Sequence, residues 1–339
     1  MPKQPPRRAL SGFRKILLAL LLVLPPAAGP LAAQREERSL TLYTALTATT
    51  PQIPLWAAIG AGWPDGGELS VQYWKSLDDL RGLILAGKGD IWVGHLEGFA
   101  QAALRGAPIT LVAVTGWRKF YFVYSGDGRD SLEDAAAALR REGMPLAVAP
   151  QDSPALGLLK ELAARGGADF SLEPMPPQQA LLAMIRGSRR CALLPEPLVS
   201  ALLAKKPDLR VIAGLEGELA RLSGGSPRLP LAGVAVRTSL VKENPELIRE
   251  LARRMRQAAE DLSGASPEKA LAVLPSSVRA AFDPGVLETS LSRDLILAVP
   301  AAEARREILA FLCLVLPESF PPEGAEAKLP ESFFFRENP

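Results

Sequence analysis

The chain has 339 residues, 48% hydrophobic and 22% charged, which gives a folded protein of one to three domains with ample length for large cores. Its net charge of +2 is local: residues 1–33 hold Lys3, Arg7, Arg8, Arg14 and Lys15 and no acid, so 39 − 5 = 34 basic residues face 37 acidic ones in the remainder, a net of −3. No basic stripe interleaved with aromatics is left, which argues against nucleic acid as a partner.

Residues 1–33 read as a secretory signal peptide for the general export route. A basic start precedes an apolar run over 16–24 that is too short to span a bilayer, and small residues lead to a cleavage point after Ala33. An uncleaved membrane anchor is the alternative. Residues 40–44 (LTLYT) and 69–74 (LSVQYW) alternate as strands, with a Thr-rich loop over 45–54 and a helix from 55 between them. The stretch 76–100, SLDDLRGLILAGKGDIWVGHLEGFA, organises the rest. Ser76 and Asp79 form a capping pattern, and Leu77, Leu80, Leu83 and Ile84 lie at helical spacing. Gly87 and Gly89 stop that helix, Ile91 to Val93 form a short buried strand, and the chain turns through His95 and Glu97 into a second helix. Residues 109–115 are a further strand ending at Trp117, and 120–124 (FYFVY) is a strand expected to cross between two halves of the molecule.

The same order of elements returns over 178–203: helix, Gly187, an apolar strand at Cys191 to Leu194, the turn Pro195-Glu196-Pro197, and a helix. Two lobes of like build follow from it. Between these stretches, Ser131 caps a helix, 146–149 is a strand, and Asp152-Ser153-Pro154 opens a helix that stops at Gly166-Gly167. Residues 209–213 form a strand, 223–230 a flexible connection and 231–236 a returning strand. Helices follow over 245–262, 267–273 and 303–316, and the aromatic run Phe333 to Phe335 is expected to dock on a lobe. Strands alternating with helices give an α/β class.

Five motifs carry a resemblance: PQIPLWAA at 51–58, AGKGD at 86–90, Glu196-Pro197, NPEL at 244–247 and KLPESFF at 328–334. In this order they resemble the solute-binding proteins of ABC importers, in the branch that serves nitrate, sulfonates, taurine and thiamine-precursor pyrimidines. The match departs at Arg190-Cys191, where that family carries Asp-Ala. The resemblance implies a type II periplasmic-binding-protein fold: two α/β lobes joined by crossing strands, residues 39–119 with 232–339 in one and 120–231 in the other. The implied hinge lies near 121–124 and 231–236. The implied function is binding of a small solute in the periplasm, by a monomer, and delivery to an ABC permease of the inner membrane. No cofactor, metal or covalent chemistry is implied. Two rivals stay open: an enzyme on the same fold resembling menaquinone-pathway dehydratases, and the ligand-binding module of a sensory system.

Ligands of open α/β sheets sit at the carboxyl ends of strands. That rule selects Thr47, Trp74, Ser76, His95, Glu97 and Trp117 from the first lobe, and Ser153 and Glu196 from the second. Thr47, Ser76 and Ser153 suit an anion or polar group, with plain helix capping as the competing role for the two serines. Glu97 and Glu196 suit a cation or amine, against the competing role of solvated helix-start acids. His95, the single histidine, lacks a nucleophile to serve. No nucleotide loop, nucleophile elbow or Cys/His metal spacing is present. Cys191 and Cys313 are expected as free thiols, with a disulfide as the alternative.

Overall fold

A computed structural model describes residues 39–47, 50–60, 62–64, 67–126, 131–321, 323–324 and 328–336; the expected signal peptide lies outside them. The first strands and helices are β1 (Leu40–Ala45), α1 (Ile53–Gly60), β2 (Leu69–Trp74), α2 (Leu77–Leu85), β3 (Ile91–His95), α3 (Leu96–Leu104) and β4 (Ile109–Gly116). A second series follows: β5 (Phe120–Tyr124), α4 (Leu132–Glu142), β6 (Leu146–Val148), α5 (Ala155–Ala164), β7 (Leu172–Pro174), α6 (Pro177–Ile185), β8 (Cys191–Pro195), α7 (Leu198–Lys205), β9 (Arg210–Gly214) and α8 (Leu215–Ser223). The chain closes with β10 (Ala232–Arg237), α9 (Thr238–Glu243), α10 (Pro245–Leu262), α11 (Pro267–Ala272), α12 (Ser276–Arg279), α13 (Pro284–Leu291), β11 (Val299–Pro300) and α14 (Arg305–Val315).

These strands form two sheets, ordered β11-β4-β10-β3-β1-β2 and β7-β6-β8-β5-β9. Leaving aside β11, the two orders are the same: second, first and third parallel strands, one antiparallel strand, then a fourth. In each sheet the antiparallel member is the strand formed just after the chain has crossed, β5 in one and β10 in the other. The likeness between 76–100 and 178–203 is therefore structural. β3 and β8 hold the same place in their sheets, and Gly87 and Gly187 both take left-handed φ values, 68° and 73°, just after the preceding helix. That conformation is open to glycine at no steric cost, which is why both helices stop there.

Every residue of β3, β4, β5 and β8 is buried, as strands covered on both faces must be. One outer face of the six-stranded sheet lies under α1 and α10. The latter is an amphipathic helix with Pro245 in its first turn and Leu247, Ile248, Leu251, Ala252, Met255, Ala259 and Leu262 buried. The outer face of the five-stranded sheet lies under α6 and α7. A third core runs from α2 and α3 through Trp117 and Phe120 to α4, α5 and α8, so it is continuous between the sheets. Helix α14 packs on α5 and α3. Phe333, Phe334 and Phe335 are buried, and Phe335 N donates to Leu111 O.

The segments that pass between the sheets are 117–119 and 224–231. They are tied together: Leu229 N donates to Trp117 O at 2.8 Å, and Leu231 N to Gly116 O at 2.8 Å. The strand 120–124 lies wholly within the five-stranded sheet, where sequence alone had it crossing. Weak or short elements escaped the sequence pattern, among them β7, α8, α9 and α12–α13. In β7, α9 and α12 the apolar positions are too few to set a period, whereas α8 does carry one, at Leu215, Leu219 and Leu222.

β10 leaves no room for a side chain at Gly233. A Cβ on Gly233 would lie 2.5 Å from Ala113 O of β4, and a sheet ladder cannot yield that distance. Gly233→Ala is expected to destabilise the fold by ~1–3 kcal/mol, read as a lower Tm. Gly217→Ala in α8, where nothing lies within 4 Å of the added methyl, is expected to hold or raise Tm.

Candidate functional site

The carboxyl ends of β1, β2 and β3 face those of β6, β7 and β8 across a cleft of about 550 Å³. Residues Thr47, Trp74 to Leu77 and His95 come from the first set, and Pro150 to Asp152, Pro176 to Gln178 and Pro195 to Pro197 from the second. Lys119 and Phe120, leaving the first crossing segment, also border it, as do Ala281 and Phe282 between α12 and α13. Most of this surface is apolar: Trp74, Leu77, Phe120, Leu181, Leu198, Phe282 and five prolines.

Of the eight residues selected from sequence, Thr47, Trp74, Ser76, His95 and Glu196 border this cleft, and Glu97, Trp117 and Ser153 do not. Trp74 is half-buried, with its indole N–H donating to Val93 O at 3.0 Å. Ser76 Oγ accepts from Asp79 N at 3.1 Å, so it caps α2. Ser153 is buried and its hydroxyl donates to Pro150 O at 2.7 Å; it does not cap α5, whose N-cap position is Pro154. Trp117 is 1% exposed. Its indole N–H donates to Val114 O, and the Arg228 guanidinium lies 4.7 Å from its ring centroid.

The charged groups set the chemistry. Glu196 is buried, but its oxygens are taken: they accept from Ser200 N, Ser200 Oγ and, at 2.9 Å, Arg293 Nη1. Arg293 Nη1 also donates to Ser200 Oγ, and the Arg293 carbonyl accepts from Tyr121 OH and Arg118 Nε. The connection between α13 and β11 is thereby tied to β5, to α7 and to the crossing segment. Glu97 is buried with both carboxylate oxygens lacking a hydrogen-bond donor, and its Oε1 stands 3.4 Å from His95 Nδ1.

Lys119 was not singled out from sequence. It is 7% exposed, and among the described residues its ammonium makes no hydrogen bond or ion pair. Burial pushes its pKa below the ordinary lysine value, against the opposing attraction of Asp294, Glu216 and Glu97. The acids are pushed in turn. Burial lifts Glu216 to about 7, although Glu216 Oε1 accepts from the Lys119 and Phe120 backbone N–H groups. Burial also lifts Asp294 to about 7, although Oδ2 accepts from Thr50 Oγ1 at 2.6 Å. In both directions desolvation outweighs attraction. The oxygens Glu216 Oε2 and Asp294 Oδ1 have no donor. The base of the cleft thus carries one uncommitted cation, Lys119, and the carboxyls that share its field, Glu216, Asp294 and Glu97, lie behind the cleft lining. The cation pair Arg118-Lys119 between two strongly apolar strands, 109–115 and 120–124, was the sequence signal for Lys119.

Cys191 and Cys313 are free thiols, and burial raises Cys191 to about 12. Among the described residues no helix is long and apolar enough to cross a membrane.

No protein-family model and no curated protein matches the chain. Solved structures do. The chain is similar to the periplasmic aliphatic sulphonate binding protein SsuA from Escherichia coli, with a TM-score of 0.65 and 13% identity over 88% of this chain and 92% of that one. It is similar to the periplasmic nitrate-binding protein NrtA from Synechocystis PCC 6803, with a TM-score of 0.58 and 16% identity over 86% and 84%. It is also similar to an ABC transporter protein from Parabacteroides distasonis, with a TM-score of 0.59 and 18% identity over 89% and 99%. At such identities the likeness establishes the fold. It is the periplasmic-binding-protein fold expected from the sequence, with two mixed sheets in one order.

Proposed function

We propose that the protein binds a small organic anion with an apolar body in this cleft, in the periplasm, and delivers it to the permease of an ABC importer. The observation that carries the reading is the buried, uncommitted Lys119 ammonium at the base of an apolar cleft between two sheets. An anionic head group would supply the partner that Lys119 lacks, since a buried charge is costly until it is paired. The other charged side chains on the lining point to no second anchor: Glu196 is engaged by Arg293 and Ser200, and Lys75 and Asp152 are opposite in sign and in contact with solvent.

In this reading residues 39–119 with 232–339 form one lobe and 120–231 the other. The lobes close on the ligand by bending at 117–119 and 224–231. The early basic and apolar segment supports export, and the similarity to binding components of import systems supports transport. Chemistry on the ligand is not required.

The test is calorimetry with acetate, hexanoate, benzoate, butanesulfonate and benzenesulfonate, with the amines hexylamine and benzylamine as opposite-charge controls. Binding of anions, with recovery of the bound compound unchanged, is the expected result. Trp74→Ala should weaken the tightest binder five- to hundredfold, about 1–3 kcal/mol for loss of a buried aromatic contact, with circular dichroism unchanged. Preference for the amines, or turnover of the bound compound, would overturn the reading.

A further inference from the structure

We infer that the cleft takes up a proton when it takes up its anion, the proton going to one of two buried carboxyls beside Lys119, Glu216 or Asp294. This rests on the anion reading of the same site and adds its regulation by pH. The geometry supplies the proton acceptors. Lys119 is the uncommitted cation, and the groups that share its field are carboxyls with oxygens that have no donor: Glu97 Oε1 and Oε2, Glu216 Oε2 and Asp294 Oδ1. An anionic head group seated on Lys119 draws on the charge that these carboxyls depend on and adds a like charge beside them. Away from water, like charges close together repel strongly, and protonating one acid relieves the repulsion.

The remaining charged groups around the base do not remove this need. From the β3–α3 junction come His95 and Glu97, which face each other at 3.4 Å. From the β8–α7 junction comes Glu196, already paired with Arg293. From β5 comes Tyr121, a phenol whose pKa burial raises further and which donates to the Arg293 carbonyl. From the crossing segment comes Arg118, whose Nε is bonded to the same carbonyl. The β9–α8 junction brings Glu216, and the α13–β11 connection brings Asp294 and Arg293.

Glu216 and Asp294 both stand at about 7 without ligand, which fixes the window. Below that value both are already protonated and an anion brings no proton with it. Above it they are ionised when free and one becomes protonated when the site fills. Affinity should then fall by up to tenfold per pH unit above about 7, one proton per anion.

The experiment is titration calorimetry of the intact protein with benzoate and benzenesulfonate, at about pH 5.5, 7 and 8. It is run in cationic buffers of different ionisation enthalpy, which introduce no competing buffer anion. Expected is an uptake near zero at the lowest pH, rising toward one proton per anion at the higher two, and reduced in Glu216→Gln and Asp294→Asn. Uptake unchanged in His95→Gln would support the carboxyls as acceptors. Anion binding with no proton exchange at any pH overturns this inference and leaves the anion reading standing. Uptake that survives undiminished in both Glu216→Gln and Asp294→Asn, or that vanishes in His95→Gln while the anion still binds, also overturns it. If neither anion binds, the anion reading fails and this inference with it.

Discussion

Lys119→Met is expected to reduce anion affinity at least a hundredfold, about 3 kcal/mol, the loss typical when one partner of a buried hydrogen-bonded charge pair is removed. Methionine matches the length and apolar body of lysine, so the change isolates the ammonium. Stability should respond in a pH-dependent way that separates this from misfolding. Glu216 and Asp294 have folded values raised to about 7 from 4.5 and 3.8. The stability they lend is therefore full below the ordinary carboxyl values and is lost as pH rises through about 7. Lys119 opposes that loss, because its attraction lowers the Asp294 value. Without it the Asp294 value rises further. The variant should melt below the parent at about pH 8 and equal or exceed it at about pH 5, where neutral acids no longer face an ionised lysine. Calorimetry and melts at the two pH values check both halves. Parent-like affinity in a folded Lys119→Met would remove the anchor from the proposed site.

Trp117→Ala is expected to cost ~3–5 kcal/mol of folding stability, the range for truncating a fully buried large aromatic. The ring lies in the core shared by the two sheets, at 1% exposure. It also holds the junction together. Its own segment is the first crossing, Arg228 of the second crossing lies over its face at 4.7 Å, and Arg228 reaches Glu307 of α14 at 3.1 Å. Removing the ring leaves a cavity where three segments meet and takes away the surface that Arg228 stacks on. Denaturant unfolding should show a lower midpoint. Binding in the fraction that remains folded should be close to that of the parent, since Trp117 does not border the cleft. Trp74→Ala should behave in the opposite way, and that crossed pattern distinguishes core from cleft among tryptophans that sequence could not separate.

Local pattern decided much of this molecule. The amphipathic period of 245–262, the glycine stops at Gly87 and Gly187, the caps at Ser76 and Ser131 and the apolar runs of β3, β4 and β5 are all properties of residues near one another in the chain. They suffice to mark strand ends, and strand ends converge at a sheet's carboxyl edge, so Thr47, Trp74, Ser76, His95 and Glu196 could be brought to one cleft from sequence. Strand ends do not say which way a side chain leaves the backbone. Trp74 and Trp117 each end a strand or follow one, yet one faces the cleft and the other the shared core. Ser153 follows a strand as well, and its hydroxyl turns back to Pro150 O, 2.7 Å away. The chemistry of the base was illegible for a different reason. Lys119 gains its character from Glu216, 97 residues further on, and from Asp294 and Glu97. A lysine between apolar strands is a surface residue or a buried anchor depending on what those distant elements place around it. Only the folding of both sheets against the α13–β11 connection removes water from Lys119, Glu216 and Asp294 at once, and desolvation, which no single residue carries in its sequence, is what shifts their titration.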